Sequence, residues 1–162
     1  MIPDNSAEAP KESALIKSEL KAVGITVVVQ SAPSQEFFDN FVTRGDFDLA
    51  LFSWQGTLFP ISAALPIYVS PTATSGGLEV HQNYARIGSS DIDQLFARAT
   101  AELDPAAATR LGNQIDAAIW KEVHSLTLYQ LPQLFAERST LANFGAFGFA
   151  SVNYQTIGFR GS

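Results

Sequence analysis

Three pairs of closely spaced carboxylates are the residues of this chain whose types could support catalysis. They are Asp46 with Asp48, Asp91 with Asp93, and Glu102 with Asp104. Two neighbouring carboxyl groups can act as general acid and base, or can bind a hard metal ion through oxygen. Structural roles are the stronger interpretation, because the first pair flanks a predicted strand and the second lies at the positive end of a predicted helix. Asp104, directly before Pro105, is typical of a helix N-cap.

Other signatures of enzymes are missing from the sequence. There is no Gly-rich phosphate loop before a helix, no nucleophile elbow, no His-x-x-x-His pair and no cysteine. His81 is interpreted as an exposed loop residue, with donation to a ligand as the less favoured alternative. His124 follows a predicted helix and is interpreted as its C-terminal cap. We therefore expect a protein that is not an enzyme and that holds neither a metal nor a cofactor.

One aromatic and polar cluster favours a binding site. Its members directly follow a predicted buried strand and are Trp54, Gln55, Gly56, Thr57 and Phe59. Ligands of open α/β sheets bind beyond the carboxyl ends of the strands, which is where this cluster would lie. The alternative is that Trp54 and Phe59 simply cover the edge of the sheet. The residues alone do not decide between the two.

Composition limits the classes of partner. The chain has 162 residues, of which 46% are hydrophobic and 16% charged, enough for one core and for one domain or a little more. The net charge is -6 and the basic residues are scattered, so nucleic acid is not an expected partner. No apolar run approaches the length of a membrane helix, and the first ten residues have no leader pattern. Either the protein is cytosolic or its N-terminus lies outside this sequence.

The first third of the chain predicts a helix, a strand, a second helix and a second strand. Their ranges are Lys11 to Val23, Ile25 to Val29, Ser34 to Gly45 and Leu49 to Phe52. This order indicates an α/β fold in which the two strands are parallel neighbours joined by a right-handed crossover. The side chains expected to pack against them are Ile16, Leu20, Phe38 and Phe41.

Regularity is lost and then returns. Thr57 to Gly88 fits no period and predicts a long irregular loop of the functional or mobile kind. Ser90 and Asp104-Pro105 then begin two predicted helices that form a hairpin. Leu126 to Leu131 and Gln133 to Glu137 are predicted strands, separated by a proline.

The order of these motifs is similar to that of a known family. Gly45 to Trp54 resembles the "gDfDlal.gW" strand of the peptide-binding ABC substrate-binding proteins. Upstream, Val23 to Val27 resembles their "L...Gi.V" unit, and Glu36 to Phe38 matches the helix that follows it. Downstream, Asn83 to Leu95 resembles "N...y.s.e.D.L...A", and Leu126 to Pro132 resembles "pl.Y..p". The resemblance spans nearly the whole chain.

The resemblance implies a C-terminal fragment of an extracytoplasmic solute-binding protein of family 5, the oligopeptide- and dipeptide-binding type. Residues 1–162 would be a partial lobe of a two-lobed periplasmic-binding-protein-like fold, with a mixed sheet flanked by helices. Most would belong to the second lobe, with the tail from about residue 143 returning toward the first. The intact protein would be an exported monomeric lipoprotein that binds a peptide or other small solute and presents it to an ABC permease. Asn83 and Tyr84 would join the Trp54 cluster in lining the cleft.

Thr57 departs from the family pattern. Many peptide binders carry an aspartate at the matching position, where it pairs with the α-ammonium group of the ligand. A hydroxyl cannot replace that charge, and such a charge-assisted hydrogen bond is worth roughly 1.5–3 kcal/mol. An envelope regulatory or interaction lipoprotein of the same fold, binding a glycan or lipid-linked ligand, therefore stays open as an alternative. A small hydrolase that uses one of the carboxylate pairs is the other alternative, and the lack of a convergent His, Ser and Asp set disfavours it.

Overall fold

The computed structural model of the protein describes residues 1–160. The chain divides into two compact units, the first Met1–Ser125 and the second beginning at Leu126. Within residues 1–160 no helix is long and apolar enough to cross a membrane.

Most regular structure of the first unit is helical. The helices are α1 (Ala9–Ala22), α2 (Ser34–Glu36), a π-helix that continues it (Phe37–Val42), α3 (Pro60–Tyr68), α4 (Ser90–Ala101) and α5 (Pro105–Lys121). The strands of this unit are short, and they are β1 (Ile2–Pro3), β2 (Ser31–Ala32), β3 (Thr72–Thr74) and β4 (Gly77–Glu79). The α/β class expected from the sequence is confirmed, with small sheets beside the helices.

Residues 1–3 lie between two other segments of the chain and bond to both through their backbone. On one side β1 pairs with β2, Ile2 opposite Ser31. On its other side the amino group of Met1 donates to the Leu49 carbonyl at 2.7 Å, and the Leu51 amide donates to the Met1 carbonyl at 3.1 Å. Ile25–Val29 and Leu49–Phe52 were predicted to be adjacent, and this is wrong. β1 lies between β2, which follows the first range, and the backbone of Leu49 and Leu51 in the second. Neither predicted range is assigned as a strand within residues 1–160.

A cluster of phenylalanines packs against Ala32 of β2 and against Met1. Its fully buried members are Phe37 and Val42, and Phe38, Phe41 and Phe52 are partly buried against them. Packing by Phe38 and Phe41 is thus confirmed, but Phe37 holds the central position. The π-helix explains this, because its wider turn brings residues five apart, such as Phe37 and Val42, onto one face.

The predicted contribution of α1 to this packing is wrong. Ile16 and Leu20 are only half-buried and are not members of the phenylalanine cluster. The predicted helix at Lys11 to Val23 is otherwise confirmed with a shifted start, since α1 begins at Ala9 with Pro10 in its first turn. The apolar side chains of α1 are therefore less buried than the sequence pattern indicates.

The predicted helical hairpin is confirmed as α4 and α5. Its core is formed by Ile92, Phe96, Ala99, Leu111, Ile115 and Ile119, with α3 packed against them. Asp104 caps α5 as predicted, accepting from the Ala107 amide at 2.8 Å. The cap of α4 is Ser89, not Ser90, because the Ser89 hydroxyl accepts from the Ile92 amide.

The stretch predicted as an irregular loop, Thr57 to Gly88, contains α3 and the β3–β4 hairpin. The sequence PISAALPIY of α3 is apolar all round and includes an internal Pro66, so no helical period marks it. Its first residue, Pro60, occupies the position where proline suits a helix start. The irregular loop prediction is therefore wrong for this part of the chain.

The second unit has little regular structure. Leu141–Ala142 (β5) pairs antiparallel with Gly158–Phe159 (β6), and Tyr154–Thr156 form a 3-10 turn. Leu126–Leu131 and Gln133–Glu137 were predicted as strands, and among the described residues neither is paired into one, so those predictions are wrong. Gln133 to Glu137 is exposed throughout. The expectation for the tail from about residue 143 stays a prediction.

The burial of Phe37 can be tested by truncation. We expect Phe37→Ala to lower the free energy of unfolding by about 3–5 kcal/mol, as for other large side chains deleted from packed cores. Urea denaturation followed by circular dichroism measures this loss. Leu15→Ala is the control, because Leu15 is 61% exposed on α1, and its change should stay within about 0.5 kcal/mol. Equal losses in the two variants would contradict the assignment of Phe37 to the core.

Candidate functional site

Trp54 and Tyr84 form a stacked aromatic pair at the surface. Their rings are nearly parallel, at 11°, with centroids 5.9 Å apart. Trp54 is 43% exposed and Tyr84 is partly buried. The pair, called here the aromatic platform, therefore offers a flat apolar face together with the polar edges of an indole and a phenol.

The platform is an extension of the phenylalanine cluster. Edge-to-face contacts run outward from Phe37 to Phe38 at 5.0 Å, from Phe38 to Phe52 at 5.6 Å and from Phe52 to Trp54 at 5.4 Å. Phe52 also meets Tyr84 at 6.2 Å. Aromatic pairs at such distances stabilise one another by about 0.5–1.5 kcal/mol beyond the area they bury. Core packing thus orients the exposed Trp54 ring.

The other residues predicted around Trp54 lie in an exposed segment. Gln55, Gly56, Thr57 and Phe59 are all exposed, and Phe59 is 74% exposed. The Thr57 hydroxyl accepts from the Phe59 amide at 3.2 Å, which stabilises the turn that leads into α3. These residues share one surface segment with Trp54.

Asn83 lies inside the protein, unlike its neighbour Tyr84. It is fully buried, and its side-chain amide donates to the carbonyls of Val69 at 2.8 Å and Ile87 at 2.6 Å. Its side-chain oxygen lies 2.9 Å from Nε2 of His124. Every polar atom of this side chain is therefore used within the chain, so the contacts that it makes are structural.

The same contacts fix the tautomer of His124. Because the Asn83 amide nitrogen faces two carbonyls, its oxygen must be the atom that faces His124. An oxygen only accepts here, so Nε2 of His124 carries a proton. His124 caps α5 through its backbone amide, which donates to the Ile119 carbonyl at 3.4 Å, whereas its ring is buried beside Asn83 and against Tyr68 at 4.8 Å. Sequence reasoning had no signal for this contact, which joins residues 41 positions apart.

Burial lowers the pKa of His124 from its ordinary value of 6.5. The Glu122 carboxylate and the Ile67 carbonyl oppose this effect, in that order. Nδ1 is buried and makes no hydrogen bond within the described part of the chain. The neutral ring is accordingly the form that the fold stabilises.

The loop from Val80 to Gly88 that carries Tyr84 is held at further points. The Arg86 guanidinium donates to the carbonyls of Tyr84 at 2.8 Å and Thr43 at 2.9 Å. It lies directly over Gly45, which has φ +75° and has no space for a side chain there. A Cβ at Gly88 would come within 2.8 Å of the Ser70 Cα, so the backbone approach at that end also needs glycine.

The carboxylate pairs do not converge on a site. Asp93 accepts from the Ser70 amide at 2.8 Å, and Asp104 caps α5. Asp46 and Asp48 are exposed. His81 is exposed, with its ring 3.6 Å from the Glu79 carboxylate. Within residues 1–160 no group of three or more His, Cys, Asp or Glu side chains could hold a metal ion.

Comparison with known proteins identifies the fold and the relatives. No protein-family model matches the chain. The crystal structure of NikZ from Campylobacter jejuni in complex with Ni(L-His) superposes with a TM-score of 0.63 over 76% of this chain and 24% of that one, at 15% identity. The chain thus shares the periplasmic-binding-protein-like fold of a part of that structure.

Sequence comparison finds relatives of higher identity than NikZ. The chain is 43% identical over 140 residues to proteins described as oligopeptide-binding protein OppA from Mycobacterium bovis and Mycobacterium tuberculosis. The match covers 86% of this chain and 22% of each relative, so the chain spans about a fifth of their length. The chain is therefore homologous to a segment of proteins described as oligopeptide-binding, in agreement with the resemblance of its motifs. These homologues are binding proteins.

The lowered pKa of His124 predicts how stability depends on pH. Above the unfolded-state pKa of 6.5 the ring is neutral in both states, and its stabilising contribution is complete. As pH falls below 6.5 the unfolded chain takes up the proton first, so the free energy of unfolding decreases until the folded-state pKa is passed. Urea denaturation between pH 8 and pH 5 measures this slope.

The variant His124→Gln removes the titrating ring. It should flatten the slope in that range. A parent protein whose stability rises between pH 7 and pH 5, or an unchanged slope in His124→Gln, would contradict the prediction.

Proposed function

We propose that this chain forms part of the solute-binding component of an ABC import system, which captures a peptide or related small solute between two lobes. The observation that carries the proposal is the exposed aromatic platform of Trp54 and Tyr84, located in a chain that is 43% identical to a segment of oligopeptide-binding proteins. The activity is binding and not catalysis. The platform is supported as a ligand surface by its exposure and by its fixed orientation on the core.

The chemistry of the platform suits a ligand with flat or apolar groups. A stacked indole and phenol can contact an apolar side chain, an aromatic ring or the face of a sugar, and the indole N–H can donate one hydrogen bond. Gln55 and the exposed Thr57 add neutral polar groups in the same segment. Recognition at this surface is therefore by shape and neutral hydrogen bonds, and Asn83 contributes by holding Tyr84 in place.

The resemblance to the family supports four further proposals, on the location, anchoring, oligomeric state and partner of the intact protein. The intact protein would be extracytoplasmic, anchored as a lipoprotein, monomeric, and paired with an ABC permease. Residues 1–162 would lie mostly in the second lobe, with the tail from about residue 143 returning toward the first. Closure of the two lobes over the ligand would be the signal read by the permease.

Thr57 favours a second candidate, an envelope regulatory or interaction lipoprotein of the same fold. Its hydroxyl already accepts from the Phe59 amide, and it has no charge to pair with a peptide's α-ammonium group. A neutral glycan or a lipid-linked ligand would not need that charge. Native mass spectrometry of the full-length gene product separates the candidates, because a co-purifying peptide supports the importer and a co-purifying glycan or lipid supports the regulator.

The isolated chain should bind no small ligand tightly. A single open surface cannot bury the 70–90% of a ligand's area that pocket binding typically involves. Calorimetric titration of the 162-residue chain with a mixture of tri- to hexapeptides, and separately with maltotriose, should show no heat of micromolar binding. A micromolar dissociation constant for either probe would show that one surface suffices, and would contradict the two-lobe mechanism.

Trp54 should act as an anchor for the ligand in the full-length gene product. We expect Trp54→Ala to weaken binding of the co-purifying ligand by about 2 kcal/mol or more, which is about 30-fold in dissociation constant. Trp120→Ala is the matched control, because Trp120 is 45% exposed on α5 and outside the platform, and its affinity should equal the parent's. Equal affinities for the Trp54 variant and the parent, together with a lower unfolding temperature for that variant, would make Trp54 a packing residue only.

A further inference from the structure

We infer that Asn83 and His124 are positioning residues for the aromatic platform, and that they couple the α4–α5 hairpin to it. The hydrogen bond between them is buried, joins the end of α5 to the loop that carries Tyr84, and is used by no step of ligand contact. The coupling itself is a property of the fold. Its meaning for ligand capture rests on the proposed function.

Asn83 lies between separate segments of the chain. Its amide nitrogen holds the Val69 carbonyl just after α3 and the Ile87 carbonyl at the end of its own loop. Its oxygen holds His124 after α5. Rotation of this amide by one flip would break both carbonyl contacts together, because each carbonyl would then face an oxygen.

Asn83 is directly followed by Tyr84. The backbone around them is a series of tight turns, with the Asn83 amide donating to Val80 at 2.8 Å and the Arg86 amide donating to the Asn83 carbonyl at 3.0 Å. Within this turn the two consecutive side chains contact different parts of the chain. Asn83 is fully buried, and Tyr84 stacks on Trp54. A displacement of Asn83 therefore moves Tyr84.

His124 is connected to the hairpin through Tyr68. Its ring is covered edge-on by Tyr68 at 4.8 Å, and Tyr68 stacks on Phe96 of α4 at 6.3 Å. Phe96 is fully buried in the hairpin core. Contacts thus run continuously from that core through His124 and Asn83 to the platform, and the only directional bond along this path is the one at Nε2.

A buried polar contact of this kind specifies one arrangement more strictly than apolar packing. Loss of the Nε2 proton donor would leave the Asn83 oxygen buried without a partner, a situation that proteins avoid by rearranging. The side chain would then rotate or the loop would move to reach solvent. Either response changes the stacking of Tyr84 on Trp54, which makes the inference measurable at the surface.

The test uses this chain with Trp120→Phe as the parent, so that Trp54 is its only tryptophan. His124→Phe removes the donor and keeps an aromatic ring against Tyr68. His81→Phe is the matched control at an exposed histidine. Tyr84→Ala gives the signal of a Trp54 without its stacking partner. Trp54 fluorescence and near-ultraviolet circular dichroism report the platform, and far-ultraviolet circular dichroism reports the helices.

We expect the Trp54 signals of His124→Phe to shift toward those of Tyr84→Ala while the helical signal is retained. His81→Phe should match the parent, and His124→Gln, which keeps an N–H donor, should restore most of the parent signal. Trp54 signals in a folded His124→Phe equal to the parent's would overturn the inference. Trp54 signals in His124→Gln that shift as far as those in His124→Phe would also overturn it, since a loss of packing alone would then explain the effect.

Asn83→Asp takes the place of His124→Phe if that variant does not fold. It keeps an oxygen for His124 but turns a second oxygen toward the Val69 and Ile87 carbonyls, and the same shift of the Trp54 signals is expected. In the parent, nitrogen NMR of the His124 ring at neutral pH should show the Nε2–H tautomer, and the Nδ1–H tautomer would overturn the inference. These experiments use no ligand, so a failure of ligand binding in the full-length gene product leaves them unaffected.

Discussion

The hydrogen bonds of one buried amide, that of Asn83, connect the parts of the Met1–Ser125 unit on which the candidate site depends. The side chain lies between the end of α3, its own loop and the end of α5, and Tyr84 beside it joins the phenylalanine cluster. A buried amide that loses a partner costs about 1–3 kcal/mol, which is a large fraction of the stability of a small domain. We therefore expect the hydrogen bonds of Asn83 to form or break together, and the position of Tyr84 in the platform depends on them.

The elements that the sequence predicts correctly are those with local signals. The α4–α5 hairpin has apolar residues at helical spacing and Asp104-Pro105 at its second start, and these act whatever surrounds them. Strand pairing has no such signal, because the partner of a strand is chosen by distant sequence. A run such as Ile25 to Val29 looks like a buried strand, yet β1, two residues long, takes the place beside β2. Likewise α3, apolar on every side, shows no period.

The residues of the candidate site also divide into those with a local sequence signal and those placed by distant contacts. The position of Trp54 follows from a local pattern, an apolar run followed by a glycine turn, and the structure places it at the surface beside Phe52 of that run. Asn83 and Tyr84 were suggested by the resemblance, but these neighbours have different surroundings, since Asn83 is fully buried and Tyr84 is a partly buried ring stacked on Trp54. His124 shows the limit most clearly. A histidine at a helix end predicts a cap, and only the folded chain brings it to an amide 41 residues away.

The rigidity of the platform has a consequence for recognition. Trp54 is fixed by Phe52 beneath it and Tyr84 beside it, so a ligand that stacks there need not pay for ordering the ring. Preorganised flat surfaces of this type discriminate poorly between ligands, because stacking is tolerant of chemical detail. With a neutral Thr57 and with Asn83 buried, this surface would, under the proposed function, supply affinity more than selectivity. Selection among ligands would then come from a second surface that closes over it, which the proposed two-lobed arrangement provides.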